Sequence, residues 1–149
     1  MQLAPACPSS SGGIMDGRGI AAAMTLGASG VSLGTRFLFA RESGIADCYR
    51  QALADCPADG TVVTDALTGR PARWIRNRFV DAVVAAQAGT LGWGAQGASI
   101  ADIRRAAATQ QRVDILPMLA GQGAALASDP QPAAEIVELL VEQTRAARA

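Results

Sequence analysis

The sequence has 149 residues, the length of one domain and enough to bury a hydrophobic core. Its 13 basic side chains, all arginine, balance 13 acidic ones, so we expect neither nucleic acid nor an anionic membrane as the main partner. The chain has no histidine, which removes the commonest general base and every Cys/His metal pattern.

The N-terminal segment predicts no targeting signal. Residues 1–8 lack the basic and apolar regions of a signal peptide, and no apolar run reaches the length of a membrane span. Cys7, Cys48 and Cys56 have no C-x-x-C spacing and are interpreted as free thiols in a reducing compartment. These features predict a soluble cytoplasmic protein without a metal site.

The first predicted elements form half of a βαβ repeat. We expect Asp16 to cap a helix that ends at Gly27, a residue suited to the left-handed position after a helix. A short buried strand is expected at residues 30–33. Two glycine-containing loops, residues 11–14 and 32–36, then each follow the end of a strand.

The region after Ala40 is predicted to be mostly helical. Helices are expected at residues 45–54, from Pro71 onward, at residues 99–109 and from Pro132 onward. Residues 61–64 are extended but too short to anchor a sheet, residues 89–97 are expected to form a mobile loop, and residues 116–123 are irregular.

Two of these helices are predicted from the spacing of apolar residues. The helix from Pro71 would bury Trp74, Ile75, Phe79, Val83 and Val84. The last helix would turn Ile136, Val137, Leu140 and Val141 inward.

The two strand-end loops are the candidate ligand site. Gly12 and Gly13 allow the backbone to approach an anion at positive φ, while Gly34 and Thr35 offer an amide and a hydroxyl. Each pair alone is a weak signal, and a plain turn explains the first equally well. Together, around one helix, they match the phosphate site after strands seven and eight of a (β/α)8 barrel.

For the other candidate ligand-binding residues, a structural role explains the sequence at least as well as ligand binding does. Arg36 is placed to pair with a phosphate, although a bridge to Asp16 or Glu42 explains it slightly better. The four arginines at positions 70, 73, 76 and 78 favour a solvated or acid-paired surface. Gln122 either reaches a ligand or belongs to a tight turn. No nucleophile has a histidine base and no carboxylates pair for acid–base chemistry, so no catalytic residue is predicted.

Several segments resemble the nitronate monooxygenase family, formerly called 2-nitropropane dioxygenases. They are residues 11–23, 34–37, 49–53, 68–73, 77–79, 120–123 and 132–135. The resemblance implies a TIM-barrel flavoprotein that binds FMN non-covalently and oxidises alkyl nitronates with O2 to a carbonyl compound and nitrite. The residues it implies at the FMN phosphate are Gly13, Ser32, Leu33, Gly34 and Thr35, and Gly12 joins them as the other member of the glycine pair.

The sequence also departs from this family. Ser32 and Leu33 stand where the family commonly has Gln-Met, a change that preserves backbone contacts. The family's catalytic histidine and flavin-ring residues lie in strands one to six, which have no counterpart here. We therefore expect an α/β fold, with the end of a TIM (β/α)8 barrel (about strands 7–8) in residues 1–40 and a helical extension packing on it in residues 41–149. This incomplete barrel should bind FMN weakly and be inactive alone.

The beginning of the sequence suggests a cause for this departure. Residues 6–10 stand where the family has an apolar strand such as Val-Pro-Val-Ile, which one set of codons for this segment encodes in a shifted frame. We hypothesise a frameshift before Ser11 and a spurious start at Met1. The alternatives are a fragment of an FMN-dependent enoyl-acyl-carrier-protein reductase, which shares the Ala-Gly-Gln turn, or a non-catalytic remnant.

Overall fold

The computed structural model describes residues 8–86, 89–126 and 129–149, and the chain forms two compact units. The first unit combines the N-terminal segment through Ser43 with the C-terminal segment from Leu126. The second unit is the intervening segment, residues 44–125. The expected boundary between barrel and extension at residue 40 stays a prediction, and Cys7 lies outside the described residues.

The described residues contain short strands, helices and one 3-10 helix. In chain order they are β1 (Ser9–Ser11), α1 (Gly17–Thr25), β2 (Gly30–Ser32), α2 (Thr35–Leu38), α3 (Asp47–Ala54), β3 (Thr61–Thr64), β4 (Ala72–Ile75), α4 (Arg78–Ala86), α5 (Ala95–Ser99), α6 (Ala101–Thr109), the 3-10 helix (Gln122–Leu126) and α7 (Ala133–Ala147). None of the helices described is both long and apolar enough to cross a membrane.

The first unit is built on the predicted β-α-β segment. β1 and β2 pair in parallel, and α1 supplies the crossover that a parallel pair requires. Asp16 caps α1 as predicted, and Gly27 has a φ of +101° directly after it. β2 is half-buried to exposed along its length, so the prediction of a buried strand is wrong. The serines of β1 form a strand because their backbone groups supply the pairing.

The core of the first unit lies between α1, α2 and α7. Ile136 and Leu140 on α7 are buried against Ala40, and Leu33 and Phe37 pack on the same cluster. Val137 and Val141 do not join this core. They are 49% and 42% exposed, so the prediction that they face inward is wrong.

The second unit contains a β-hairpin whose first strand coincides with the predicted extended segment 61–64 and whose second strand falls in a predicted helix. β3 and β4 pair antiparallel, which places Thr61 opposite Ile75. The predicted helix from Pro71 is therefore wrong over residues 72–75, and α4 begins only at Arg78. Trp74 from the strand and Val80 from the helix are buried in one cluster. Their apolar spacing imitates a single helix because both elements cover the same core.

The glycine-rich segment of the second unit, residues 89–97, is held by hydrogen bonds of the Gln96 side chain. The Gln96 side chain donates to the Ala66 carbonyl at 2.7 Å and accepts from the Leu91 N–H at 3.0 Å. α5 begins within this segment, which was predicted to be a mobile loop. Ser99 ends α5 and donates to the Gln96 carbonyl, and Ile100 stands at the N-cap of α6.

Candidate functional site

The carboxyl ends of β1 and β2 bring the two candidate loops to one edge of the sheet. Ser11 lies opposite Ser32 in the parallel pair, so the residues that follow each strand leave the same edge, about 4.8 Å apart. The Ser11 hydroxyl donates to the Ser32 carbonyl at 3.4 Å and links the strand ends. We call the surface formed by residues 12–13 and 32–35 the strand-end cup.

The glycines of the strand-end cup face open space. Gly12 and Gly13 have φ values of +92° and +73°, a region that side chains disfavour. A Cβ built on Gly12, Gly13 or Gly34 would meet no heavy atom within 4 Å among the described residues. The backbone of both loops is therefore accessible to a ligand.

The other residues of the strand-end cup differ in what they can offer. Ser32 is exposed, while Leu33 is half-buried and packs its side chain on the core cluster of α7. Thr35 is half-buried and begins α2, whose N-terminus carries no side-chain cap. The backbone of Leu33 is therefore the part available to a ligand, and its role there stays a prediction.

The N-terminus of α1 is already occupied by protein groups. The Gly19 N–H donates to the Asp16 carboxylate at 2.9 Å, and the Gly17 N–H donates to the Gln143 side chain at 2.9 Å. The Gly19 N–H, helped by Arg18, lowers the pKa of Asp16 below its usual value. A ligand at the strand-end cup would therefore rely on residues 12–13 and 32–35.

Arg36 has a different environment from either predicted one. Its Nη2 donates to the Gln131 side chain at 2.7 Å, and its Nη1 is buried without a hydrogen-bond partner among the described residues. The predicted bridge to Asp16 or Glu42 is wrong, because the Glu42 carboxylate instead accepts from the Ala133 N–H at 2.9 Å. Burial lowers the pKa of Arg36.

The arginines of the second unit behave largely as a charged surface. Arg76 pairs with Asp81 at 3.1 Å, and Arg78 pairs with Asp114 at 3.0 Å. This confirms the acid-paired interpretation for these two arginines. Arg70 instead lies 4.5 Å from the centre of the Trp93 ring.

The remaining candidates of the second unit show no arrangement for catalysis. Gln122 is exposed and begins the 3-10 helix. Cys48 and Cys56 are free thiols, and burial followed by the charge of Asp59 raises the pKa of Cys56. Burial also raises the pKa of Tyr49 to about 12. No group of three or more metal-ligating side chains meets within the part of the chain described here.

Sequence reasoning missed two glutamines that support the first unit. Gln131 bonds Arg36 across 95 residues of sequence, and Gln143 bonds Gly17 across 126. Neither contact leaves a local signal, because each depends on how α7 packs. An uncharged partner for Arg36 is also unexpected in a chain with as many acids as bases.

A family model described as nitronate monooxygenase matches residues 9–143. A probable nitronate monooxygenase of Staphylococcus aureus is 37% identical over 132 residues, covering 89% of this chain and 37% of that protein. One from Staphylococcus saprophyticus is 52% identical over 69 residues, covering 46% of this chain and 19% of that protein.

Solved structures show the same partial correspondence. Nitroalkane oxidase from Streptomyces ansochromogenes matches with a TM-score of 0.86 and 36% identity, covering 95% of this chain and 40% of that one. FabK from Thermotoga maritima matches with a TM-score of 0.78 and 30% identity, covering 93% and 44%. The chain thus has an α/β fold similar to these proteins and spans less than half of their length.

Proposed function

Because the chain belongs to the nitronate monooxygenase family, we propose that it forms the phosphate-binding end of an FMN-dependent enzyme that oxidises alkyl nitronates with O2. The products would be a carbonyl compound and nitrite. The observation that carries the proposal is the strand-end cup, in which Gly12, Gly13 and Gly34 present open backbone at one sheet edge. We place this edge at about strands 7–8 of a barrel.

The residues present fit a phosphate group. A Cβ at Gly13 or Gly34 would project into empty space, which leaves room for phosphate oxygens close to the main chain. The parallel register aligns the two loops, so one anion can receive donors from both. Backbone donors also explain why Ser32 and Leu33 can replace Gln-Met.

We assign separate roles to FMN and to the residues of this chain. FMN, when bound, supplies the redox chemistry, whereas Gly12, Gly13 and residues 32–35 hold its phosphate and fix its position. The chain has no histidine to act as a base on a nitronate. We therefore propose that this chain alone binds the phosphate group and does not turn over substrate.

Ligand titration tests the phosphate assignment directly. The purified chain is titrated with FMN, inorganic phosphate and riboflavin, while the backbone amide signals of Gly13 and Gly34 are followed by NMR. We expect weak, saturable shifts with FMN and phosphate and none with riboflavin, which lacks the phosphate. Equal responses to FMN and riboflavin, or no response to FMN, would contradict the assignment.

The substrate is tested on a protein extended upstream to the length of the relatives. Nitronate-dependent O2 consumption is expected from the extended protein and not from this chain. The second candidate is the FMN-dependent enoyl-acyl-carrier-protein reductase, which the similarity to FabK favours. NAD(P)H oxidation with an enoyl thioester, without nitronate oxidation, would establish that alternative instead.

A further inference from the structure

The second unit contains a pocket between α3 and α6. Its volume is about 430 Å³, which lies within the range of small-molecule sites in proteins. The N-terminal end of α3 lines it with Ala46 and Tyr49, and the buried residues Leu116 and Pro117 line it as well. We call this cavity, which is bounded on its other side by α6, the α3–α6 pocket.

The helix α6 contributes two alanines and two arginines to the α3–α6 pocket. Ala101, Arg104, Arg105 and Ala108 line the pocket, and their spacing of three, four and seven residues from the first places them on one face of the helix. The alanines at both ends of this face leave space that longer side chains would fill. The arginines between them are exposed and bring positive charge to that space.

The two arginines differ in the charge that they can offer to a ligand. Arg105 forms an ion pair with Asp102, which lies one turn before it in α6. The Arg104 guanidinium has neither a hydrogen bond nor an ion pair to the residues that the structure describes. No carboxylate lines the α3–α6 pocket within the described part of the chain. Arg104 is therefore a cation at the pocket that has no counter-charge from the described protein.

Tyr49 gives the α3–α6 pocket an aromatic surface that is held in place. Its hydroxyl donates to the Leu119 carbonyl, so the ring is fixed by the backbone of the second unit. Burial raises the pKa of Tyr49 to about 12, and the phenol therefore stays neutral at pH 7. The described lining thus combines apolar and aromatic groups with one unpaired positive charge.

We propose that the α3–α6 pocket binds a small organic carboxylate that has an apolar or aromatic body. The planar guanidinium of Arg104 pairs with the carboxylate, a geometry in which two parallel N–H donors meet two oxygens. The body of the ligand lies against Tyr49 and the alanines of α6. A neutral molecule loses the ion pair, and a small anion without a body leaves the apolar surface uncovered. This inference concerns the second unit and does not depend on phosphate at the strand-end cup.

Titration of the purified chain with benzoate, benzamide and acetate tests the class of ligand. Benzoate has both the ring and the charge, benzamide keeps only the ring, and acetate keeps only the charge. With benzoate we expect saturable NMR shifts of the Ala101 and Ala108 backbone amide signals and a Kd of about 1 mM. Benzamide and acetate should each bind at least about fivefold more weakly, because each lacks one of the two interactions.

Arg104→Gln tests the unpaired charge without disturbing the fold, because the Arg104 side chain is exposed. We expect the Kd for benzoate to rise about fivefold in this variant. Arg105→Gln is the matched control, since it removes an arginine of the same helix face whose charge Asp102 already neutralises. Its affinity for benzoate should stay close to that of the wild type.

Ala108→Leu tests the location of the ligand. The larger side chain would occupy part of the α3–α6 pocket, so we expect the Kd for benzoate to rise by more than about tenfold. Ala106→Leu is the control, because Ala106 is exposed and does not line the pocket. Circular dichroism checks the fold of each variant, and Arg104→Gln still decides the question if Ala108→Leu does not fold.

Each result supports or overturns the proposal. The absence of a saturable response to benzoate would overturn it, and so would equal affinity for benzoate and either benzamide or acetate. Wild-type affinity in Arg104→Gln, or a loss of affinity confined to Arg105→Gln, would contradict recognition by Arg104. A saturable response at Gly13 without one at Ala101 would assign the anion to the strand-end cup and exclude the α3–α6 pocket.

Discussion

Two glycines near the start of α1 have opposite environments. At the strand-end cup, a Cβ on Gly13 would meet no described heavy atom within 4 Å. At the first residue of α1, a Cβ on Gly17 would come within 2.3 Å of the Gln143 Cβ and 2.4 Å of the Thr144 nitrogen. The same residue type thus leaves open backbone at one point and allows close helix packing at the other.

This difference divides the first unit into an open side, the strand-end cup with Gly13, and a packed side, where α1 meets α7. Gly17 allows α1 to approach α7, whose buried residues hold the segment that carries Leu33 and Phe37. Gly13 contributes nothing to that packing. Changes on the packed side should therefore lower stability, while changes on the open side should alter ligand binding first.

The largest loss of stability is expected from Ile136→Ala on the packed side. Ile136 is fully buried, so truncation removes buried apolar area and leaves a cavity. We expect a loss of about 3 kcal/mol in the free energy of unfolding, measured by urea denaturation. Val137→Ala, next to it and 49% exposed, is the control and should change stability by less than about 0.5 kcal/mol. Similar losses for both variants would show that α7 does not pack as described.

Gly17→Ala tests the close approach of α1 and α7 directly. The added methyl group would overlap the backbone of α7, which cannot rotate away as a side chain can. Overpacking of this kind is expected to cost about 2 kcal/mol in the free energy of unfolding. Gly30→Ala is the control, because its Cβ would meet nothing within 4 Å. Equal unfolding midpoints for the two variants would contradict the packing role of Gly17.

Gly13→Ala probes the open side. The positive φ of Gly13 should cost about 1.5 kcal/mol with alanine, and the methyl group would enter the space assigned to the phosphate. Gly27→Ala, at a φ of +101° with open space around it, carries the same strain at the other end of α1. We expect both variants to lose similar stability in thermal unfolding, while Gly13→Ala alone loses phosphate binding in the NMR titration. If both variants lost phosphate binding, backbone strain would explain the loss, and Gly13 would contribute to folding without a specific role at the ligand.

The same division explains what could be predicted from the sequence. The cap at Asp16, the end of the helix at Gly27 and the glycine pair are local signals. In the structure Asp16 caps α1, Gly27 follows α1 at positive φ, and the two glycines of the pair also have positive φ. The hairpin of β3 and β4 was missed because Trp74 and Val80 reach one core from different elements. The partner of Arg36 was missed because Gln131 lies 95 residues away in the sequence, in the segment that leads into α7. The ligand of the strand-end cup remains a prediction.

The smallest expected effect concerns Asp16, which lies between the open and packed sides. Its pKa is lowered in the folded chain, first by the hydrogen bond from the Gly19 N–H and also by Arg18. A lowered pKa means that the ionised carboxylate stabilises the fold above the unfolded pKa of about 3.9, and that this contribution disappears as the pH falls through the folded value. Asp16→Ala should therefore lose about 1 kcal/mol at pH 7, with the difference from wild type shrinking below about pH 4.

Asp16→Asn separates the charge of Asp16 from its capping hydrogen bond. Asparagine still accepts from the Gly19 N–H but does not titrate, so it should keep most of the stability at pH 7 and lose the acid-dependent part. Urea denaturation of the three proteins between pH 2.5 and 7 measures both effects, since other carboxylates cancel in the differences. A constant difference between wild type and Asp16→Ala across this range would show that the cap does not depend on the ionised carboxylate. The α1 N-terminus would then not need a negative charge of its own, while the N–H groups of Gly19 and Gly17 would still donate to the side chains of Asp16 and Gln143.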